Sequence, residues 1–121
     1  MFGTQCDYGN GAWDVWDGLH GQWVPSSVPC AKFKPNVWYH ITETFYRTSD
    51  TREHYQGLTI VQYNSNMTIA SSKSYTLGMV EPSGPLPTGW GENLGVQFQM
   101  DIGPAGGTLT EWVDKVTLSA N

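Results

Sequence analysis

The chain has 121 residues, 39% of them hydrophobic and only 14% charged, with 14 Gly, 7 Pro, 6 Trp and 6 Tyr. A domain of this length buries roughly two-thirds of its unfolded surface, so it can carry its own core, and this composition excludes a disordered or mainly helical chain. Six Lys and Arg against eleven Asp and Glu leave a net charge of -5 with no run of basic residues, which argues against nucleic acid and an anionic membrane as partners.

The first residues, Met1-Phe2-Gly3-Thr4-Gln5-Cys6, lack the charged and apolar regions of a signal peptide. No apolar run approaches the roughly eighteen residues that span a bilayer. Cys6 and Cys30 are the two cysteines. A bridge between them closes a loop of about two dozen residues and is worth roughly 3 kcal/mol; the alternative is a pair of free buried thiols. With few charges and many Trp, Tyr, Thr, Ser and Asn, a bridge points to a secreted or cell-surface protein. Asn66-Met67-Thr68 matches a glycosylation acceptor triplet, which carries meaning only in a eukaryotic secretory pathway.

No segment shows helical periodicity with start and stop signals. Alternation and β-branched or aromatic enrichment predict strands over 12–17, 21–25, 37–47, 56–63, 67–70, 74–80, 93–101 and 108–119. Asp7-Tyr8-Gly9-Asn10-Gly11, Pro25-Ser26-Ser27, Lys34-Pro35-Asn36 and Asn64-Ser65-Asn66 mark turns between them. The segment from Glu81 to Gly91 contains three prolines, which exclude a central strand. Short strands separated by Gly/Pro turns predict one all-β domain over 1–121, an antiparallel β-sandwich.

Strand periodicity also assigns faces. Over 12–17, Asp14 and Trp16 oppose Trp13, Val15 and Asp17; over 37–47, Trp38, His40, Thr42, Thr44 and Tyr46 oppose Tyr39, Ile41, Glu43 and Phe45. In Leu94-Gly95-Val96-Gln97-Phe98-Gln99-Met100-Asp101, the apolar residues take one face, and Gln97, Gln99 and Asp101 take the other. Gly103 to Gly107 reads as a hairpin connection that would set this polar face beside the strand of Trp112. Of the six Trp, Trp38, Trp90 and Trp112 are assigned to the core, while Trp13, Trp16 and Trp23 near the N-terminal turns are the candidates for exposure.

Several stretches resemble the concanavalin A-like lectin/glucanase superfamily of jelly rolls, especially the C-terminal portion of secreted bacterial members. They are Trp13-Asp14-Val15-Trp16-Asp17, Trp23-Val24-Pro25 with Cys30 following, and Pro35-Asn36-Val37-Trp38-Tyr39-His40-Ile41. The series continues with Pro87-Thr88-Gly89-Trp90-Gly91, then Gly95 to Asp101, then Trp112-Val113-Asp114-Lys115-Val116-Thr117-Leu118. The resemblance implies a concanavalin A-like jelly roll with a concave sheet face that binds carbohydrate. Because such domains approach 200 residues, it also implies that the chain is either a compact version or the C-terminal part of a larger domain. In the second case unpaired strand edges favour a homo-oligomer or filament.

The expectation is therefore a non-catalytic, lectin-like domain whose partner is a polysaccharide or other glycan, with Asp14, Trp16, His40, Thr42, Gln97 and Gln99 as ligand-binding residues. Sugars suit such a set because their C–H faces stack on rings while their hydroxyls bond amides, carboxylates and imidazoles. The alternatives are a structural subunit of an extracellular assembly joined through strand edges, and a fragment of a glycoside hydrolase. Hydrolysis needs two facing carboxyl groups. The nearest pair, Asp14 and Asp17, lies on opposite faces of a strand, and Glu43 and Glu111 stand alone, so no catalytic residue is assigned. His20, His40 and His54 lack metal-ligand spacing, and no cofactor is expected. Calcium on the loop carboxylates Asp7, Asp14 or Asp101 is the one metal the sequence leaves open.

Overall fold

The computed structural model describes residues 3–47, 52–80, 99–101 and 106–119. Within these, all regular structure is β. Strands β1 (Thr4–Asp7), β2 (Ala12–Asp17) and β3 (Gln22–Pro29) form one antiparallel sheet in the order β1-β2-β3. Strands β4 (Tyr39–Arg47), β5 (Glu53–Tyr63) and β6 (Ile69–Val80) form a second in the order β4-β5-β6. Each sheet is thus a meander whose neighbours are consecutive in sequence.

Two equivalent turns shape the first sheet. Gly11 N–H donates to the carbonyl of Asp7 and Gly21 N–H to that of Asp17, both at 2.9 Å. Both glycines sit at positive φ, +74° and +64°, where a side chain would be strained. The carboxylates lock the same loops: Asp7 Oδ1 accepts from Gly9 N at 2.6 Å, and Asp17 Oδ1 from Leu19 N at 3.2 Å. The pattern Asp-x-x-x-Gly therefore occurs twice, ten positions apart.

Inward-facing residues of both sheets build one core of Trp13, Val15, Val28, Cys30, Tyr55, Leu58 and Leu77. Fully burying a side chain such as Val15 or Leu58 stabilises by about 1.5–3 kcal/mol. A polar pin crosses the same space, with Tyr55 Oη donating to the Trp16 carbonyl at 3.2 Å and accepting from Gly3 N at 3.1 Å. Thr4 on β1 also donates its hydroxyl to Glu43 on β4. The Cys6–Cys30 disulfide, with Cα atoms 5.4 Å apart, ties β1 to the segment after β3.

The structure moves several predicted boundaries. Thr4–Asp7 is a strand that alternation alone does not mark, although Met1 to Cys6 resembles the middle of a strand in concanavalin A-like domains. The predicted 67–70 and 74–80 strands are one continuous β6, since Ser71-Ser72-Lys73 pair with β5 residues in register. The predicted 21–25 and 56–63 strands extend to Pro29 and back to Glu53.

The predicted 108–119 strand is corrected: residues 106–119 form no strand and are exposed throughout. They belong, with 99–101, to a unit separate from the one containing the six strands. Residues 99–101 are likewise outside any strand, while 93–98 and 102–105, including Gln97 and most of the predicted hairpin connection, lie outside the described residues.

The tryptophan assignment is also corrected. Trp13 is 5% exposed, between Val15 and Cys30 in the core, whereas Trp38 is 45% and Trp112 79% exposed. Trp38 precedes β4 on its outward side, and Trp112 has no ladder partner among the described residues. Trp16 is half-buried, Trp23 is exposed, and Trp90 lies outside the described residues.

Candidate functional site

Of the residues singled out from sequence, Asp14 and Trp16 are not brought together with His40 and Thr42, and Gln97 lies outside the described residues. Alternation and register put Asp14 and Trp16 on the outward side of the first sheet, and His40 and Thr42 on the outward side of the second. Those two sides face away from each other. Asp14 is 2% exposed because neighbours cover it: its carboxylate accepts from Gln5 Nε2 at 3.0 Å and Asn10 Nδ2 at 3.2 Å. Trp16 packs edge-on against Trp23, with ring centroids 5.0 Å apart. His40 and Thr42 are exposed on a face of hydroxyls, where Thr59 and Ser74 bond each other at 2.9 Å. Gln99 is exposed and donates to Asp101 at 2.7 Å.

The carboxylates considered for calcium are engaged locally, Asp7 by its own turn and Asp14 by Gln5 and Asn10. Among the described residues, no three His, Cys, Asp or Glu side chains are grouped to hold a metal ion. Asp17, fully buried, accepts from His20 Nδ1 at 2.8 Å and Gln22 Nε2 at 3.4 Å, which fixes the β2–β3 turn. Glu43 has its carboxyl held above the ordinary range: loss of water around it raises the value, and the Thr4 hydroxyl bond offsets part of that rise. The residue still exposes more than a third of its surface, so crowding by protein at the carboxyl end is the cause.

A different set of residues does converge. The strands of the second sheet are 9, 11 and 12 residues long, against 4, 6 and 8 in the first. The inward side of the second sheet follows from its register: Tyr39 opposite Gln62 opposite Ser71, then Ile41 opposite Ile60 opposite Lys73, then Glu43 opposite Leu58 opposite Tyr75. Leu58 lies in the core. The Gln62, Ser71 and Lys73 end instead floors an open groove of about 190 Å³.

The segment between β3 and β4 forms the other wall, with Lys32, Phe33 and Lys34 lining the groove together with Trp13, Tyr39 and Tyr75. This strap is held at several points. Cys30 anchors its start through the disulfide and through its N–H to the Gly11 carbonyl at 2.8 Å. The Tyr8 and Tyr39 hydroxyls accept from Phe33 N and Lys34 N, both at 3.1 Å. The Phe33 ring packs on Tyr39 at 4.7 Å and on the edge of Trp13 at 6.4 Å. The groove is therefore preformed, with rings on its walls and an amide and a hydroxyl on its floor.

Sequence reasoning did not select Gln62, Lys73, Tyr75 or the Lys32-Phe33-Lys34 strap. One signal was present: in the alternating set Ser71, Lys73, Tyr75, Leu77, Met79, a basic residue continues an apolar face. Comparison with family models, with curated proteins and with solved structures returned no match, so the site rests on its own geometry.

Proposed function

We propose that this protein is a secreted, non-catalytic carbohydrate-binding domain of concanavalin A-like jelly-roll type, and that the groove at the end of the second sheet is its sugar site. The observation that carries this reading is the pairing of half-buried aromatic rings with polar groups along one groove. A sugar ring packs its C–H face on Phe33 and Tyr75 while Gln62 and Ser71 bond its hydroxyls. A volume near 190 Å³ is below that of drug-sized pockets and suits one sugar unit of a chain that continues into solvent. The disulfide is compatible with an extracellular setting, and no helix among the described residues is long and apolar enough to cross a membrane.

Two antiparallel sheets around a shared core support a β-sandwich, and the jelly-roll connectivity is proposed from the sequence resemblance alone. The hydrolase alternative has less behind it, because Asp14 and Asp17 occupy opposite sides of β2 and are taken up by local hydrogen bonds. The test is a titration of intrinsic fluorescence with a broad oligosaccharide panel, repeated on Phe33→Ala and Gln62→Ala. The reading predicts a saturable change that both variants weaken, with Gln62→Ala keeping the native melting transition and Phe33→Ala lowering it because its ring also packs on Trp13 and Tyr39. Unaltered binding in both variants would remove the groove from consideration.

A second reading, self-association into an extracellular assembly, is favoured by one observation: Leu109, Trp112, Val113, Val116 and Leu118 are all at least 45% exposed. Apolar surface of this kind favours pairing with another chain. Light scattering over a wide concentration range separates this reading from a monomeric binding domain.

A further inference from the structure

Three of the six cationic side chains in this acidic chain, Lys32, Lys34 and Lys73, line the groove, and no Asp or Glu does. The linear sequence has no basic run; the fold makes a cluster by bringing β6 beside the strap. Lys73 occupies a core-side register position opposite Ile60, in a set whose member Leu77 is buried. Lys73 is nevertheless exposed, and it lines the groove. Lys32 and Lys34 flank Phe33 on backbone that the two tyrosine hydroxyls hold in place. Like charges gathered without a lining carboxylate repel one another, and an anion arriving between them relieves that cost.

Building on the saccharide-binding reading above, we infer that the groove selects acidic saccharides, sugars bearing carboxylate or sulfate groups. Their rings pack on Phe33 and Tyr75, and their anionic groups meet Lys32, Lys34 and Lys73. Single-stranded nucleic acid also combines anions with groups that stack. It is the poorer match here, because a net charge of -5 repels a long phosphate chain beyond the groove and the cavity holds one ring rather than a series of bases.

Calorimetric titration of the whole chain with matched panels of carboxylated, sulfated and uncharged oligosaccharides, and with oligothymidylate, tests the inference. Acidic sugars are expected to bind at least about tenfold more tightly than uncharged ones, as three exposed charge pairs together provide, with the advantage shrinking as salt is raised. The triple variant Lys32→Gln, Lys34→Gln, Lys73→Gln is expected to lose that advantage, binding acidic and uncharged sugars alike, while its thermal unfolding stays the same. Equal binding of acidic and uncharged sugars by the parent chain, or an advantage that survives in the triple variant, would overturn the inference and leave the saccharide reading standing. Oligothymidylate binding as tightly as the acidic sugars would overturn it in favour of nucleic acid. Absence of binding by every saccharide would overturn both readings together.

Discussion

The two sheets use the same strand chemistry to different ends. The first is short: its turns are fastened by Asp7 and Asp17, and the outward Asp14 is covered by Gln5 and Asn10. Its polar groups serve the fold. The second is longer, its β4 residues are exposed apart from Tyr39, and its inward side outruns the core. At one end the second sheet presents Gln62, Ser71 and Lys73 to an open groove that Trp13 of the first sheet also lines. A difference in strand length, with the strap alongside, accompanies the opening of core-side positions into a groove.

If that division of labour holds, damage to the shared core should be costly and damage to the groove cheap for stability. Tyr55→Ala removes the largest fully buried side chain among the described residues and the hydroxyl pin between the sheets, and is expected to destabilise by about 4 kcal/mol in chemical denaturation. Replacing Cys6 and Cys30 together by Ser is expected to cost about 3 kcal/mol and, because the strap begins at Cys30, to weaken saccharide binding as well. Tyr39→Phe keeps the ring but frees Lys34 N from its acceptor. A loss of about 1 kcal/mol in stability is expected, with a larger proportional loss in ligand affinity.

The smallest effect concerns the link between the sheet edges. Burial favours the neutral Glu43 acid, so the folded protein keeps this proton to higher pH than the unfolded chain does. Stability is therefore lost as pH rises from the ordinary value of 4.5 through the raised one. Glu43→Gln retains an oxygen for the Thr4 hydroxyl and removes the charge. It should be slightly more stable than the parent at neutral pH, with the difference closing in acid; a variant that is less stable at neutral pH would contradict this account of Glu43.

Much of the first-level organisation was readable before folding. Period-two alternation placed Tyr39, Ile41, Glu43 and Phe45 opposite His40, Thr42, Thr44 and Tyr46, and the register of β4 on β5 agrees. The cysteine pair was readable from its count and spacing. Tryptophan burial was not, because a ring's surroundings depend on which face the sheet turns inward: Trp13 shares a side with Val15, and Trp38 does not share one with Tyr39. The groove was still less accessible, since it joins Lys32 to Lys73 across the chain, which no local pattern encodes. Lys73 itself was visible as an interruption of an apolar face, and such interruptions near strand ends are worth reading as openings of the core.

The central claim is that ligand enters the groove and not the outward sheet faces, and amide chemical-shift mapping during titration with an acidic oligosaccharide tests it most directly. The account predicts shifts concentrated at Phe33, Lys34, Gln62, Lys73 and Tyr75, with Trp16, His40 and Thr42 unmoved. Shifts centred on Trp16 or on His40 and Thr42, with the groove silent, would contradict it.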